Sequence, residues 1–352
     1  MRYKIFGRRT GLRVSELGLG AANFGTRWGH GAERDQAKKV FDAYVEAGGN
    51  FIDTADSYQF GESEELVGEF IAADRDYFVL ATKYTLGTNA TDGISRTGNS
   101  RKNMIRSVDA SLKRLKTHRI DLYWAHFADG VTPIEEIIRA FDDLVRAGKI
   151  HYAGLSNFPA WRVSRADLLA EFRGWAPIAG IQVEYSLAQR TADRELLPMA
   201  EALGLGAALW SPLGGGFLTG KYRTSDAGRI NSLLARLVHS EKTARETAIL
   251  DAVLAIAKEI GRSPTEVAIA WLLHKARLST TALIPILGPR TYEQLAGSLG
   301  ALAVTLSPEQ IARLDETSQI PFGTPHEQIR DSAAAIAGGN TEALELRVIP
   351  VA

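Results

Sequence analysis

The chain has 352 residues, 45% of them hydrophobic, and 41 Lys+Arg balance 41 Asp+Glu for a formal net charge of zero. That content supports a sizeable core, and the balanced charge gives no long-range pull toward nucleic acid or anionic lipid. There are no cysteines, which excludes disulfides, thiolate metal sites and a cysteine nucleophile.

The opening MRYKIFGRRTG lacks the apolar stretch of a secretory signal. No apolar run is long enough to span a bilayer. A cytoplasmic protein with a small-molecule substrate, without membrane or nucleic-acid partners, is expected. Asn89-Ala90-Thr91 matches a glycosylation sequon, read as chance in a chain without an export signal. Residues 3–6 and 12–14 flank Gly7 and Gly11 and predict a hairpin, placed to cap the N-terminal end of the strands after it. Short apolar or β-branched runs then predict strands at 17–20, 51–54, 78–83, 120–126, 152–156, 180–183, 207–211 and 283–287.

Helix-period segments lie between these runs. Thr132-Pro133-Ile134-Glu135 reads as N-cap, first-turn proline and capping-box glutamate. Ile134, Ile137, Ile138, Phe141 and Leu144 then repeat at helical spacing, and Gly148 can stop the helix. Ser263-Pro264-Thr265-Glu266 and Ser307-Pro308-Glu309-Gln310 start two further helices by the same device. Eight strands alternating with helices predict a parallel α/β sheet. Eight units in about 300 residues favour a (β/α)8 TIM barrel, with an open doubly wound sheet as the alternative. One domain over 1–320 is expected, with a tail over 321–352 packed on or near the barrel. Residues 213–240 form a long insertion, of the kind that is usually functional or mobile.

Four polar residues sit where strand-like runs end: Asp53, Tyr58 five residues further on, Lys83 and His126. In a parallel barrel such positions share one mouth. Together they suit hydride transfer to a carbonyl. Tyr58 can protonate the oxygen, although an unperturbed phenol is a poor acid at neutral pH. Lys83 can stabilise the phenolate, Asp53 can hold Lys83, and His126 can hydrogen-bond the carbonyl oxygen. Singly, each has an ordinary structural explanation, such as a turn cap, a surface lysine or a hydrogen-bonded histidine. A metal-dependent hydrolase using Asp53 and His126 lacks companion ligands at metal spacing, so no metal is expected. Gly18-Leu19-Gly20-Ala21-Ala22-Asn23 falls one glycine short of a dinucleotide fingerprint, and the run Gly215 to Lys221 is followed by Tyr222 where a P-loop needs Ser or Thr.

The segment NFIDTADSYQFGESEELVG, residues 50–68, resembles the first signature region of the aldo-keto reductases. Asp53, Tyr58, Lys83 and His126 match that family's four catalytic positions in order, and the resemblance covers about residues 1–320. It implies a (β/α)8 barrel, a nicotinamide cofactor, and oxidoreduction of a carbonyl/alcohol pair with Tyr58 as general acid/base. It implies that Ser156, Asn157 and Gln182 hold the carboxamide. It implies that Trp210, within Trp210-Ser211-Pro212-Leu213, offers a flat face on which the nicotinamide can stack. Lys221 can meet the pyrophosphate, beside glycines 214–216. Gly288, Arg290 and Gln294 match positions that hold the adenosine end, and Arg290 favours NADP(H). Gly297 and Ser298 depart from the Glu-Asn usual there. Trp28, Tyr84 and Phe127 follow strands and are expected to line the substrate pocket. The other function considered is a cofactor-binding regulatory subunit, since similar barrels serve channels as β-subunits.

Overall fold

A computed structural model describes residues 1–89, 91–223 and 239–343. Its first two strands, β1 (Tyr3–Ile5) and β2 (Arg13–Ser15), form the expected antiparallel hairpin. The next eight are β3 (Gly18–Gly20), β4 (Phe51–Asp53), β5 (Val79–Tyr84), β6 (Ile120–Ala125), β7 (Ile150–Ser156), β8 (Ile178–Glu184), β9 (Gly206–Trp210) and β10 (Leu283–Leu287). All eight are parallel and close in the order β10-β3-β4-β5-β6-β7-β8-β9. The pairing of Ile286 with Gly18 and Leu287 with Leu19 joins last strand to first. That closure rules out the open-sheet alternative, and the fold is the (β/α)8 barrel.

The helices that cover the wall include α1 (Arg34–Glu46), α2 (Glu62–Ile71), α3 (Arg101–Arg114), α4 (Ile134–Arg146), α5 (Ala160–Arg173), α6 (Leu196–Leu203), α7 (Ala244–Ile260), α8 (Pro264–Leu278), α9 (Tyr292–Leu299) and α10 (Pro308–Ser318). Capping boxes at Ser263 and Ser307 start α8 and α10 as expected. The start of α4 differs. Its N-cap is Pro133, with no side-chain cap. The Thr132 hydroxyl instead donates to Asp129 Oδ2 at 2.6 Å, a charged acceptor that outcompetes a helix terminus. Glu135 pairs with Arg165 of α5. The apolar stripe of α4 is as read: Ile134, Ile137, Ile138, Phe141 and Leu144 are buried.

The floor of the barrel is aromatic. Phe6, at the end of the hairpin's first arm, is fully buried against Phe51 and Trp124, with ring centroids 5.9 and 6.3 Å away. Room for it comes from the strands. A Cβ at Gly180 would lie 2.6 Å from the Phe6 ring, and one at Gly206 would lie 2.8 Å away. The hairpin therefore closes the N-terminal end, and chemistry is left to the other.

Two short turns, Gly214–Thr219 and Lys221–Arg223, open the segment after β9; its stretch 224–238 lies outside the described residues. After α10, Arg194 Nη2 donates to Pro321 O at 3.0 Å and His326 lies 3.4 Å from Glu195. Beyond these contacts, two short helices, α11 (His326–Asp331) and α12 (Ala333–Ile336), are exposed. Residues 344–352 and Ala90 of the sequon lie outside the described residues. Among the described residues no helix is long and apolar enough to cross a membrane.

Candidate active site

Strand alternation aims the site. Asp53 pairs with Ala81 across β4 and β5, and Lys83 lies two residues on, on the same face. Both are buried. Lys83 Nζ donates to Asp53 Oδ2 at 2.5 Å, to Thr54 O at 2.8 Å and to the Tyr58 hydroxyl at 3.2 Å. An ammonium has three donors, and all three are used. Asp53 Oδ1 accepts from Gln182 Nε2 at 2.8 Å, so a strand across the barrel holds the carboxylate. Burial alone would lower the Lys83 ammonium. The Asp53 carboxylate and the Tyr58 phenol outweigh burial and hold it above its ordinary range.

Tyr58 opens a turn whose next residues, Gln59 and Phe60, have φ of 50° and 52°. Gln59 is fully buried and secures the turn. Its Nε2 donates to Ala22 O at 3.2 Å and His30 O at 3.0 Å, and its Oε1 accepts from Trp28 N at 2.8 Å. Glu62 adds a second tie by accepting from Thr26 N at 2.8 Å and Arg27 N at 3.0 Å. The loop after β3 and the Tyr58 turn are thus bonded together. Sequence reasoning missed Gln59 and Glu62, because their role depends on a left-handed turn that no local motif signals.

His126 follows β6, and its N–H donates to Tyr84 O at 3.0 Å. Its ring meets the Tyr58 ring edge-on at 5.9 Å and stacks on Phe127 at 4.8 Å. Burial, and then the Lys83 charge, hold His126 well below the usual histidine range. It is a neutral imidazole at neutral pH, able to donate from one nitrogen. Left-handed backbone gathers at this mouth. Besides Gln59 and Phe60, Thr85, Asn157 and Ser211 have positive φ and follow strands β5, β7 and β9. Such strain persists where surrounding structure over-determines it, often at functional sites.

The structure places the Trp28 and Tyr58 rings with centroids 6.0 Å apart and planes at 80°, and Phe127 is 37% exposed beside His126. Tyr84 is corrected. It is fully buried, stacked on Tyr123 at 5.4 Å and edge-on to Phe141 of α4. Lys83 points inward, so the next residue points to the helix layer and cannot line the pocket.

Ser156 and Gln182 are paired on adjacent strands beside Asp53. Asn157 has both ends of its amide engaged. Nδ2 donates to His126 O and Ser156 Oγ, each at 3.0 Å, and Oδ1 accepts from Trp210 Nε1 at 3.1 Å. It fixes the Trp210 ring, which is half-buried. Ser211 Oγ accepts from Gly215 N at 3.0 Å, buried Pro212 follows, and Leu213 packs on the core. Lys221 folds back against the glycine turn. A Cβ at Gly216 would lie 2.9 Å from its Nζ. Past β10, Gly288 and Arg290 are exposed. Gln294 Oε1 accepts from Arg290 N at 2.8 Å, so its amide supports the segment. The Arg290 guanidinium makes no ion pair among the described residues. Polar side chains at the ends of β7 and β8, a half-buried indole, a glycine turn with a lysine and an exposed arginine are groups that could hold a dinucleotide.

Residues 16–319 match the model of the aldo/keto reductase family. The chain is 38% identical to the uncharacterized oxidoreductase YrpG of Bacillus subtilis, over 92% of this chain and 98% of that protein. It is 35% identical to a putative aryl-alcohol dehydrogenase of Saccharomyces cerevisiae, over 95% and 91%. An aryl-alcohol dehydrogenase [NADP(+)] of Phanerodontia chrysosporium is 36% identical, over 92% and 88%. With a closed barrel and a match over most of its length to these proteins, the chain belongs to the aldo/keto reductase family of oxidoreductases, which act on carbonyl–alcohol pairs.

Proposed function

We propose that the protein is an NADP(H)-dependent oxidoreductase that interconverts an aldehyde or ketone with its alcohol, with Tyr58 carrying the proton. The carrying observation is Lys83, buried, with its three donors directed to Asp53, Thr54 and Tyr58. Bound NADPH supplies the hydride. As negative charge grows on the carbonyl oxygen, Tyr58 gives up its hydroxyl proton to it. The Lys83 ammonium stabilises the phenolate left behind. Asp53, itself held by Gln182, keeps Lys83 charged and aimed. Neutral His126 donates a hydrogen bond to the same oxygen, which fixes its angle. In alcohol oxidation each proton retraces its path. Ser156, Asn157, Gln182 and Trp210 are the groups for the nicotinamide end, with Lys221 for the pyrophosphate and Gly288, Arg290 and Gln294 for the adenosine end. Trp28 and Phe127 give the pocket aromatic walls. The aryl-alcohol dehydrogenase names of two relatives support aromatic aldehydes as the substrates to try first. We place this activity in the cytoplasm, on residues 1–320, with 321–352 as an appendage to the catalytic unit.

A panel of aromatic and aliphatic aldehydes, ketones and alcohols, with both phosphorylated and unphosphorylated cofactors, tests the proposal. Steady NADPH oxidation with an aromatic aldehyde is the expected result. Tight NADPH binding without turnover of any carbonyl would overturn it in favour of a regulatory, cofactor-sensing role. Arg290→Ala tests the cofactor choice. A charge-assisted contact to the 2′-phosphate is worth about 1.5–3 kcal/mol. At about 1.4 kcal/mol per decade, NADPH binding should weaken roughly ten- to a hundredfold while NADH binding holds. Equal losses for both cofactors would mean that Arg290 only supports its loop.

A further inference from the structure

Asp56, two residues before Tyr58, carries a carboxyl that the chemistry above does not use. It is 1% exposed. Its backbone N–H donates to Lys83 O at 3.0 Å, so the turn that delivers Tyr58 is pinned to the strand that delivers Lys83. The charged and titratable groups facing it are Glu64 on α2, Arg106 and Arg114 on α3, Tyr84 on β5 and Tyr123 on β6. Tyr84 and Tyr123 belong to the layer between barrel wall and helices.

Among the described residues the carboxyl has no ion-pair partner. Arg114 Nε is committed to Glu64 at 2.6 Å, and Arg106 Nη2 to Arg96 O and Asn103 Oδ1, each at 2.8 Å. Asp56 Oδ1 and the Tyr123 hydroxyl oxygen are both buried with no hydrogen-bond partner among the described residues. An unpaired buried polar atom is costly, and a buried carboxylate without a counter-ion costs far more than the neutral acid. Burial first, then the Glu64 charge, push the Asp56 carboxyl up to about 8. The two arginines and the Ser57 N–H pull the other way and are outweighed.

We propose that Asp56 is a positioning residue for the Tyr58–Lys83 pair and that it works as an uncharged carboxylic acid. As a neutral acid it stays in this layer and holds the 54–58 turn against β5. Once ionised it is a buried anion without a counter-ion, drawn toward water. The turn follows, and the 3.2 Å contact between Lys83 and Tyr58 opens. Turnover should then fall as pH rises through about 8, where Asp56 loses its proton. The activity part of this inference rests on the oxidoreductase function proposed above.

Two variants and two readouts test it. Asp56→Ala empties the seat. A misplacement of about 1 Å costs about 10²-fold, so kcat should fall by that order while KM changes little. Asp56→Asn keeps the shape and cannot ionise. It should restore most of kcat at neutral pH and shift the alkaline loss of kcat upward relative to wild type. Superimposable pH profiles for wild type and Asp56→Asn would overturn the proposal. So would an Asn variant as damaged as the Ala variant. The second readout needs no turnover. Between about pH 4 and about pH 8 the folded protein keeps a proton that the unfolded chain releases. Asp56 therefore makes the wild-type Tm fall as pH rises through that window, and Asp56→Asn should lose this component. Infrared spectra at neutral pH should show a protonated-carboxyl band in wild type that Asp56→Asn lacks. If no carbonyl is ever turned over, the melting and infrared results still decide whether Asp56 is neutral. Parallel melting slopes and identical infrared bands would overturn it.

Discussion

Replacing Lys83 with methionine removes a cation while keeping a long, unbranched side chain in its place. In wild type the ammonium lies 3.2 Å from the Tyr58 hydroxyl and is fully buried. At that separation, with an effective dielectric of about 20, it stabilises a phenolate by about 5 kcal/mol. At about 1.4 kcal/mol per decade this corresponds to three to four decades in rate. General acid catalysis by one side chain contributes about 10²–10⁴-fold, which sets the ceiling. Turnover by Lys83→Met should therefore fall roughly 10²–10⁴-fold, with KM and cofactor affinity close to wild type. The fold will also suffer. Asp53 keeps the Gln182 hydrogen bond but loses its counter-ion, and breaking a buried pair from one side costs about 3–5 kcal/mol. Single-turnover kinetics well below the melting temperature separate the two effects. The decisive measurement is the double variant with Tyr58→Phe. Because Lys83 acts through Tyr58, the double variant should be no slower than the worse single variant. Fully additive losses, or a Lys83→Met enzyme within about tenfold of wild-type turnover, would refute this account of Lys83.

Tyr58→Phe should depress the chemical step by about 10²–10⁴-fold while NADPH binding, followed by fluorescence, is retained; near-normal turnover would reassign the proton donor. His126 is held neutral by burial and by Lys83, so below about pH 6.5 the unfolded chain takes up a proton that the folded protein refuses. Stability is lost progressively as pH falls below that value, and melting curves of His126→Asn should show a shallower acid-side loss than wild type; parallel slopes would mean that His126 titrates normally. Phe6→Ala should cost about 3–5 kcal/mol in denaturant unfolding and leave kcat/KM unchanged, because the hairpin floor is at the opposite end from Tyr58. A matching loss of kcat/KM would show that the two ends are coupled.

The barrel is legible in the sequence because each strand begins and ends on marked residues. The run 283–287 matches β10 residue for residue, and the strands bearing Asp53 and Lys83 end within one residue of their expected limits. The four candidate catalytic residues are legible because polar groups ending apolar runs are conspicuous. Tyr84 departs from expectation although the information is present, since a lysine and the tyrosine after it cannot both face the interior. Thr132 departs because its competing acceptor, Asp129, lies upstream of the capping motif. Gln59 and Asp56 are opaque for another reason. Nothing local distinguishes a polar residue that bonds three backbone groups, or one buried uncharged behind a wall, from an ordinary loop residue. Long-range geometry alone separates them.

The bonding of Gln59 to Ala22, Trp28 and His30 has a consequence for how substrate range can change. Trp28, a proposed pocket residue, shares a hydrogen-bonded frame with Tyr58, the proposed proton donor. A substitution that recruits a bulkier substrate by moving Trp28 also moves Tyr58, so new specificity there comes with slower chemistry. Phe127 instead rests on the His126 ring and is 37% exposed. It can be exchanged with less disturbance of Tyr58. Adaptation and laboratory evolution toward new carbonyls should therefore enter through position 127 and the loop that carries it, while position 28 stays fixed until Gln59 changes with it.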